Sequence, residues 1–552
     1  MIVDGAPEGT PIRCDVAIVG GGPAGIALAL RLARAPGVTV ALLESGGLTF
    51  EEPTQDLARA ETVGTPYYAM HETRIRALGG SSWSWGGVCT PLDALAFESR
   101  PWVAHGSWPF PQAALEPYLE DALALCGISR EDRRHVDEAT ASAARTAGLD
   151  ARCVAAVPIY FSRPMRFGAA YREQLAALPN VTVHLHSTVT RLERQGGQVS
   201  GLHAIARGEP IEVQAQAYVL AGGGIENPRL LLVSGIDGDP VGRFFMEHLR
   251  VVNRYAVRPG DTPLGRLIGG GAAGTLRFCR LTIADETQRQ EHLLNWHANL
   301  QFGYAGQRSR QWPAVRRLAI ATRAPWNESP YFQDAGGGRV RVRGGDIALA
   351  LRRPDLALLG AYGALTERPS LRRFLEVWSA LEQVPERHNR VALTDQVDGL
   401  GVPRVRIHWT AGATEERTYR RSLEILLAQL ERLEPGISGA ALDEPDPWPA
   451  QLVGNWHHEG TTRMDDDPER GVVDRDCRVH GVTNLFVAGS SVFPVSGSTS
   501  PTVTILQLAL RLGDHLAPGL ATEQAAATVG AAAMGAPALA APSVPSHGAG
   551  GY

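Results

Sequence analysis

The apolar positions of this 552-residue chain are ordered most clearly at its start. Val16, Ala17, Ile18 and Val19 form a short continuous run, which reads as a buried strand because it is too brief for a helix and stops at glycine. An apolar stretch with helical spacing follows, and Val38 to Leu43 re-emerges as a second strand ending at Glu44. From Val181 the period changes to two: VTVHLHSTVTRLE, VSGLHAI and IEVQAQAYVLAGG predict three strands with turns at Gly196-Gly197 and Gly208. Amphipathic spacing predicts helices over Ala113 to Leu125, Arg166 to Leu178 and Glu415 to Glu434. Asn389 to Trp409 reads as strands with glycine turns, in a sheet separate from the first. Leu485 to Ala488 predicts a last short strand broken by Gly489, and Thr502 to Leu516 a closing helix that returns to the first sheet. Residues 250 to 380 carry the weakest period.

Chemistry enters at the first strand-to-helix turn, where Gly20, Gly22 and Gly25 form Gly-x-Gly-x-x-Gly within a βαβ unit. The first glycine permits the sharp turn, the second lets backbone approach a pyrophosphate, and the third lets helix pack closely on strand. The helix N-terminus offers free N–H groups and the positive end of its dipole to phosphates. A Gly-rich turn alone can serve packing only. Here Glu44 stands about 20 residues on, where an acid binds the ribose hydroxyls, so the unit reads as dinucleotide-binding. A carboxylate at that place would repel a 2′-phosphate.

Length predicts more than one domain. A net charge of −5 and a pI near 6.4 argue against a nucleic-acid partner. No apolar run is long enough to span a bilayer. The N-terminal MIVDGAPEGTPIRCD lacks the basic and apolar regions of a secretory signal, so a cytoplasmic location is expected. Cys14, Cys89, Cys126, Cys153, Cys279 and Cys477 lack metal-like spacing and read as reduced thiols, with no metal site. Arginines cluster at Arg308, Arg310, Arg316, Arg317 and Arg323, and at Arg339, Arg341 and Arg343; the bland reading is a solvated face, the sharper one an anion or partner patch. After Gly519 the chain is rich in Ala, Gly, Pro and Ser, which predicts a disordered tail.

Several stretches await a role. TRIRALGGSSWSWGGVC places Gly79, Gly80, Gly86 and Gly87 around Trp83 and Trp85, either to wall off a flat ligand or to bury indoles in a tight loop. AGGGIENPRLLLVSG is a second Gly-rich strand-to-helix turn. His248, in VGRFFMEHL, reads as a structural histidine. Of the adjacent His457 and His458 in GNWHHEGTTRM, one is expected to be structural, because successive side chains of an extended chain point apart.

These stretches together resemble the glucose-methanol-choline (GMC) flavoproteins, with the pyranose-oxidase-like branch nearest: the first turn, LGGSSWSWGG, AGGGIENPRLLL, VGRFFMEH, EQVPERHNRVAL, HHEGTTRM and GVVDRDCRVHGVTNLFVAGSSVFP span nearly the whole chain. The resemblance implies an α/β fold: a Rossmann-like FAD-binding domain of p-hydroxybenzoate-hydroxylase type, with a second α+β substrate domain on an antiparallel sheet. Its implied division is residues 1–100, 165–250 and 452–518 for FAD and 101–164 with 251–451 for substrate, leaving 519–552 as tail. It implies FAD as cofactor and oxidation of a small-molecule alcohol (a sugar, glycoside or other primary or secondary alcohol) by hydride transfer to flavin N5. The electron acceptor is left open among oxygen, a quinone and a small carrier, and the oligomeric state is left open too.

Carried onto this chain, the family's catalytic histidine falls on His457, with Gly460 and Thr461 completing its motif. The cofactor residues implied are Gly20, Gly22, Pro23, Ala24, Gly25, Glu44, Ser45, Gly79, Gly80, Ser81, Trp85, Gly86, Gly87, Val189, Ala221, Gly222, Gly489, Ser490, Pro501 and Thr502. Two departures stand out. Ser84 occupies the place where relatives attach flavin to a histidine, so non-covalent FAD is expected. Ser500, in SGSTSPT, stands where the family places an Asn or His partner of the catalytic histidine; a hydroxyl reaches less far and offers one donor. That departure also motivates an alternative: a flavin-containing non-redox lyase on the same scaffold.

Overall fold

The computed structural model describes residues 1–6, 11–162, 165–268, 279–322, 344–443 and 447–525. The first turn organises an eight-stranded sheet ordered Ile2–Asp4, Val181–Leu185, Val40–Leu43, Ile12–Val19, Glu209–Leu220, Gln198–Ala206 and Ser187–Gln195, with Leu485–Val487 also paired to Glu209–Leu220. Pairing is parallel from Ile2–Asp4 to Glu209–Leu220, with Val16 opposite Val40 and Ala217 opposite Val16. The last two strands run antiparallel as a hairpin extension. Parallel strands are covered on both faces, and Val16, Ala17, Ile18 and Leu42 are accordingly sealed from solvent. The helix Pro23–Leu32 and the closing helix Thr502–Ala525 pack together over this sheet, and Arg31 is clamped to Asp514 at 2.6 and 2.7 Å.

A second, six-stranded sheet is ordered Val453–Gly454, Leu249–Ala256, Arg372–Leu381, Trp296–Tyr304, Cys279–Ile283 and Val154–Pro158, antiparallel throughout. Helix Ala413–Leu430 packs on it through Tyr419, Leu423 and Leu426. The hairpin Arg390–Val397 and Pro403–Trp409 forms a third sheet with Ala60–Gly64. The fold is therefore the α/β nucleotide-binding layer plus α+β second layer that the resemblance implied.

Four local expectations are corrected. The stretch from Val181 is two strands, not one: His186 turns at a φ of 49°, anchored by Asp4 Oδ1 at 2.6 Å and Glu51 at 3.0 Å, so the chain leaves the parallel sheet for the hairpin. The expected helix Ala113 to Leu125 is helical in α form only over Leu119–Leu125, because Pro117 lacks a donor N–H and disfavours helix at the residue before it. Helix Arg130–Thr146 was not foreseen, although Ser129 and Asp132 form a reciprocal capping box that is visible in sequence as Ser-x-x-Asp. The closing helix continues beyond Gly519 to Ala525, and residues 526–552 lie outside the described residues. In addition, Leu115, Leu119, Leu123 and Ile128, from a segment assigned to the substrate domain, pack into the nucleotide core.

Of the arginine clusters, Arg308 pairs with Asp443 at 2.8 Å on an exposed face, in keeping with the bland reading, whereas Arg317 meets the buried Asp346 at 2.5 Å and is not part of a solvated face. Arg323, Arg339, Arg341 and Arg343 lie outside the described residues. All six cysteines are free, and among the described residues no helix is long and apolar enough to cross a membrane.

Candidate active site

The glycine turn behaves as its three roles require. Gly20 turns at a φ of 113°, with Ala221 O so near that a Cβ would lie 2.6 Å away. Gly25 faces Gly20 O at 2.0 Å from where its Cβ would be, so strand and helix meet with no room for a methyl group. Gly22 caps the helix and opens into space, its nearest contact a Gly80 Cα at 4.0 Å. Replacing Gly25 with Ala should push the helix off the strand, costing about 1–3 kcal/mol of strain. FAD affinity of deflavinated protein should then fall about tenfold or more. Titration with FAD measures this, and an unchanged affinity would show that the helix terminus holds no phosphate.

A cleft of about 310 Å³ runs from this turn. It is lined by Gly20, Gly22, Pro23, Ala24, Glu44, Ser45, Gly80, Ser81, Trp85, Val189, Ala221, Gly222, Gly489, Ser490, Pro501 and Thr502. Of the remaining residues foreseen for the cofactor, Gly25 packs the helix, Gly79 sits against Gly168 at a φ of 103°, and Gly87 against Ser162 O at a φ of 74°. A Cβ on Gly86 would meet nothing within 4 Å, and Gly86 does not line the cleft. The tryptophans separate: Trp83 is buried and donates to Leu78 O at 2.8 Å, while Trp85 donates to Met165 O at 2.7 Å and lines the cleft beside Ser84. Sequence reasoning missed Arg74, Arg76 and Glu226, which form ion pairs at 2.9 and 2.8 Å in the cleft wall.

The donor set fits FAD. Glu44 is sealed at the end of its strand, receiving Gly21 N–H at 2.8 Å on one oxygen and Gly46 N–H at 2.9 Å on the other. The oxygen that receives Gly21 keeps a free acceptor site for a ribose hydroxyl, while the other also accepts Ser45 Oγ at 3.5 Å. Two helix N-termini, at Pro23 and Thr502, border the same cleft, where a pyrophosphate finds unsatisfied N–H groups.

A second cavity, of about 540 Å³, adjoins the cleft, and His457 and Asn455 line both. Its walls come from the second sheet (Arg250, His297, Asn299, Gln301, Phe302, Tyr304, Trp378 and Ser379) and from the last loop (Ser498 and Ser500). Ser500 thus shares a cavity with His457. The ring of His457, however, is hydrogen-bonded to His248, Nδ1 to Nδ1 at 2.7 Å, with the two planes 86° apart. His248 is buried and satisfied at both ring nitrogens, as a structural histidine is, and one of its partners is the expected catalytic residue. The adjacent His458 turns elsewhere, to Tyr67 OH at 3.2 Å and the Phe245 ring.

Glu247 organises this group. One of its carboxylate oxygens accepts the backbone N–H of both His248 and His457, each at 2.9 Å, and the other accepts Tyr67 OH. Burial pushes the Glu247 carboxyl up to about 7 and His248 down to about 4. Burial, followed by the neighbouring His248, His458 and Arg250, holds His457 well below the ordinary histidine value. At neutral pH both imidazoles of the pair are therefore uncharged, and His457 can accept a proton.

Two family models match the chain: one described as GMC oxidoreductase over residues 385–509, the other as FAD dependent oxidoreductase over residues 15–256. A 6'''-hydroxyparomomycin C oxidase of Streptomyces lividus is 26% identical over 95% of this chain and 95% of its own. A C-glycoside 3-oxidase of Arthrobacter globiformis is 25% identical over 93% and 96%. A second C-glycoside 3-oxidase, from Microbacterium trichothecenolyticum, is 27% identical over 63% of this chain and 56% of that protein. Among solved structures, formate oxidase of Aspergillus oryzae matches 93% of this chain and 99% of its own at a TM-score of 0.54 and 19% identity, which supports the fold. The chain is an FAD-dependent oxidoreductase similar to the GMC oxidoreductases, whose model it matches over residues 385–509.

Proposed function

We propose that the protein oxidises a hydroxyl-bearing carbon of a sugar or glycoside, with His457 taking the hydroxyl proton. The observation that carries this reading is the position of His457 at the junction of the nucleotide cleft and the second cavity. FAD, when bound, supplies the acceptor for the hydride that leaves the same carbon. The chain's own part is to hold the cofactor through Gly20, Gly22, Glu44, Ser45, Gly489, Ser490 and Thr502, to orient the alcohol, and to remove its proton. Ser500, in the same cavity, assists as a hydrogen-bonding group to the substrate.

The cavity suits an oxygen-rich substrate with apolar faces. Phe161, Phe302, Tyr304 and Trp378 alternate with Asn299, Gln301, Gln307 and Ser498 around it. Arg250 lies over Trp378 at 5.3 Å, and its Nε and Nη2, like Asn299 Oδ1 and Ser379 Oγ, have no hydrogen-bond partner among the described residues. Buried groups of this kind reward a ligand that pairs with them. The C-glycoside 3-oxidase and 6'''-hydroxyparomomycin C oxidase among the relatives agree with such a substrate. Electrons leave to oxygen, a quinone or a small carrier, and oxygen uptake measured against dye reduction separates these. The six free cysteines support a reducing, cytoplasmic setting.

Anaerobic addition of a panel of sugars, glycosides and simple alcohols to the holoenzyme tests the reading. Bleaching of the flavin by a sugar or glycoside is expected. Turnover with the flavin left oxidised would instead establish the lyase alternative, whose motive weakens now that His457 has a ring partner in His248.

A further inference from the structure

His248 has no place in the mechanism above, yet its ring is fully buried between two fixed partners. Its Nε2 lies 3.0 Å from the Ser496 carbonyl oxygen, and its Nδ1 lies 2.7 Å from His457 Nδ1. A carbonyl only accepts, so His248 Nε2 carries a hydrogen and donates it. In a neutral imidazole the other nitrogen is then a bare lone pair. His248 Nδ1 must therefore accept, and His457 Nδ1 must be the donor. A free neutral imidazole keeps its hydrogen mostly on Nε2; this arrangement reverses that preference and leaves His457 Nε2 as the lone pair.

We propose that His248 is a positioning residue that sets the tautomer of His457, making Nε2 of His457 the atom that receives the substrate's hydroxyl proton. The inference rests on the reading of His457 as base. The Glu247 carboxylate supports the arrangement by holding the backbone N–H of both histidines. When Nε2 takes up the proton, the imidazolium keeps its Nδ1–H bond to His248, so the new charge is shared with a neutral acceptor and no bond has to be remade. Other charged or titratable groups acting on His248 are Glu382, Arg280 and His297. Glu382 is held in a bidentate pair by Arg100, and Arg280 is paired with Asp93 at 3.0 Å. Neither competes for the ring nitrogens of His248.

Two variants of the holoenzyme test the assignment. His248→Phe keeps a ring but removes the acceptor; His248→Asn keeps an acceptor oxygen at the place of Nδ1. With FAD content equal to wild type, the first should lower the flavin reduction rate constant about 10²-fold with little change in KM, and the second should recover to within about tenfold of wild type. Because the fraction of active tautomer does not depend on pH, the pH profile of His248→Phe should be lowered at every pH and unchanged in shape. In ¹⁵N-histidine-labelled holoenzyme, a hydrogen-bonded ring N–H signal assigned through His457→Ala should be seen in wild type and His248→Asn and be lost in His248→Phe. A His248→Phe enzyme as fast as wild type, or a His248→Asn enzyme as slow as His248→Phe, overturns the proposal. A His457→Ala enzyme with undiminished flavin reduction overturns instead the base assignment on which it rests.

Discussion

Replacing His457 with alanine should slow flavin reduction by roughly 10²-fold or more, the scale of a positioned acid–base group. FAD content and thermal stability should stay near wild type, because the cofactor cleft is built mainly from backbone and from residues of other segments. His458 cannot take over, because it points to Tyr67 and Phe245, and His248, whose Nδ1 loses its partner in this variant, stays tethered through Nε2 to Ser496 O at 3.0 Å. The pH profile gives a second check. Since burial and neighbouring groups hold His457 well below the ordinary value, the imidazole stays unprotonated as pH falls. Protonation of this imidazole should therefore not lower the wild-type rate constant between about pH 8 and about pH 6, where an unperturbed histidine near ~6.5 would already have lost much of its basic form, and any change inside that window belongs to Glu247, raised to about 7. Stopped-flow reduction under anaerobic conditions reads both quantities. A rate unchanged in His457→Ala would remove this residue from the chemistry.

How much of this site could be read in the chain depends on how local its determinants are. The strand-turn-helix at Gly20, Gly22 and Gly25 was legible because each glycine answers a contact made within a few residues or by the next strand, and Glu44 follows at a fixed interval. The second sheet was not. Its strands Leu249–Ala256, Trp296–Tyr304 and Arg372–Leu381 are brought together from distant stretches, with Leu249 opposite Leu381. Short apolar runs of that kind do not announce their partners. His248 is satisfied at both ring nitrogens, as a structural histidine is, but its contact was not foreseen for the same reason: it meets His457 across 209 residues, and nothing around VGRFFMEHL marks that partner. The neighbouring pair His457 and His458 divided as extended backbone requires, one ring toward His248 and the other toward Tyr67. The partner expected at Ser500 came from resemblance, and Ser500 lines the second cavity together with His457.

Replacing Arg100 with methionine should destabilise the fold by about 3–5 kcal/mol, the cost of stranding one charge of a buried pair. Arg100 and Glu382 have side chains 1% and 0% exposed and meet through two hydrogen bonds of 2.7 and 2.6 Å. Glu382 follows strand Arg372–Leu381 and also accepts Asn295 N–H at 2.9 Å, immediately before strand Trp296–Tyr304. The pair therefore pins the loop after Phe97 to the ends of two strands of the second sheet, and His297, one of the cavity walls, lies two residues beyond Asn295. Without the guanidinium, the carboxylate keeps a single backbone donor in a site closed to water. Charge relief should then restore stability: Arg100→Met with Glu382→Leu should be less destabilised than Arg100→Met alone, because replacing both members of a buried pair with apolar groups is often nearly neutral. Chemical denaturation followed by tryptophan emission, with flavin release as a second probe, measures the difference. A single variant within about 1 kcal/mol of wild type, typical of an exposed pair, would mean that water reaches this contact.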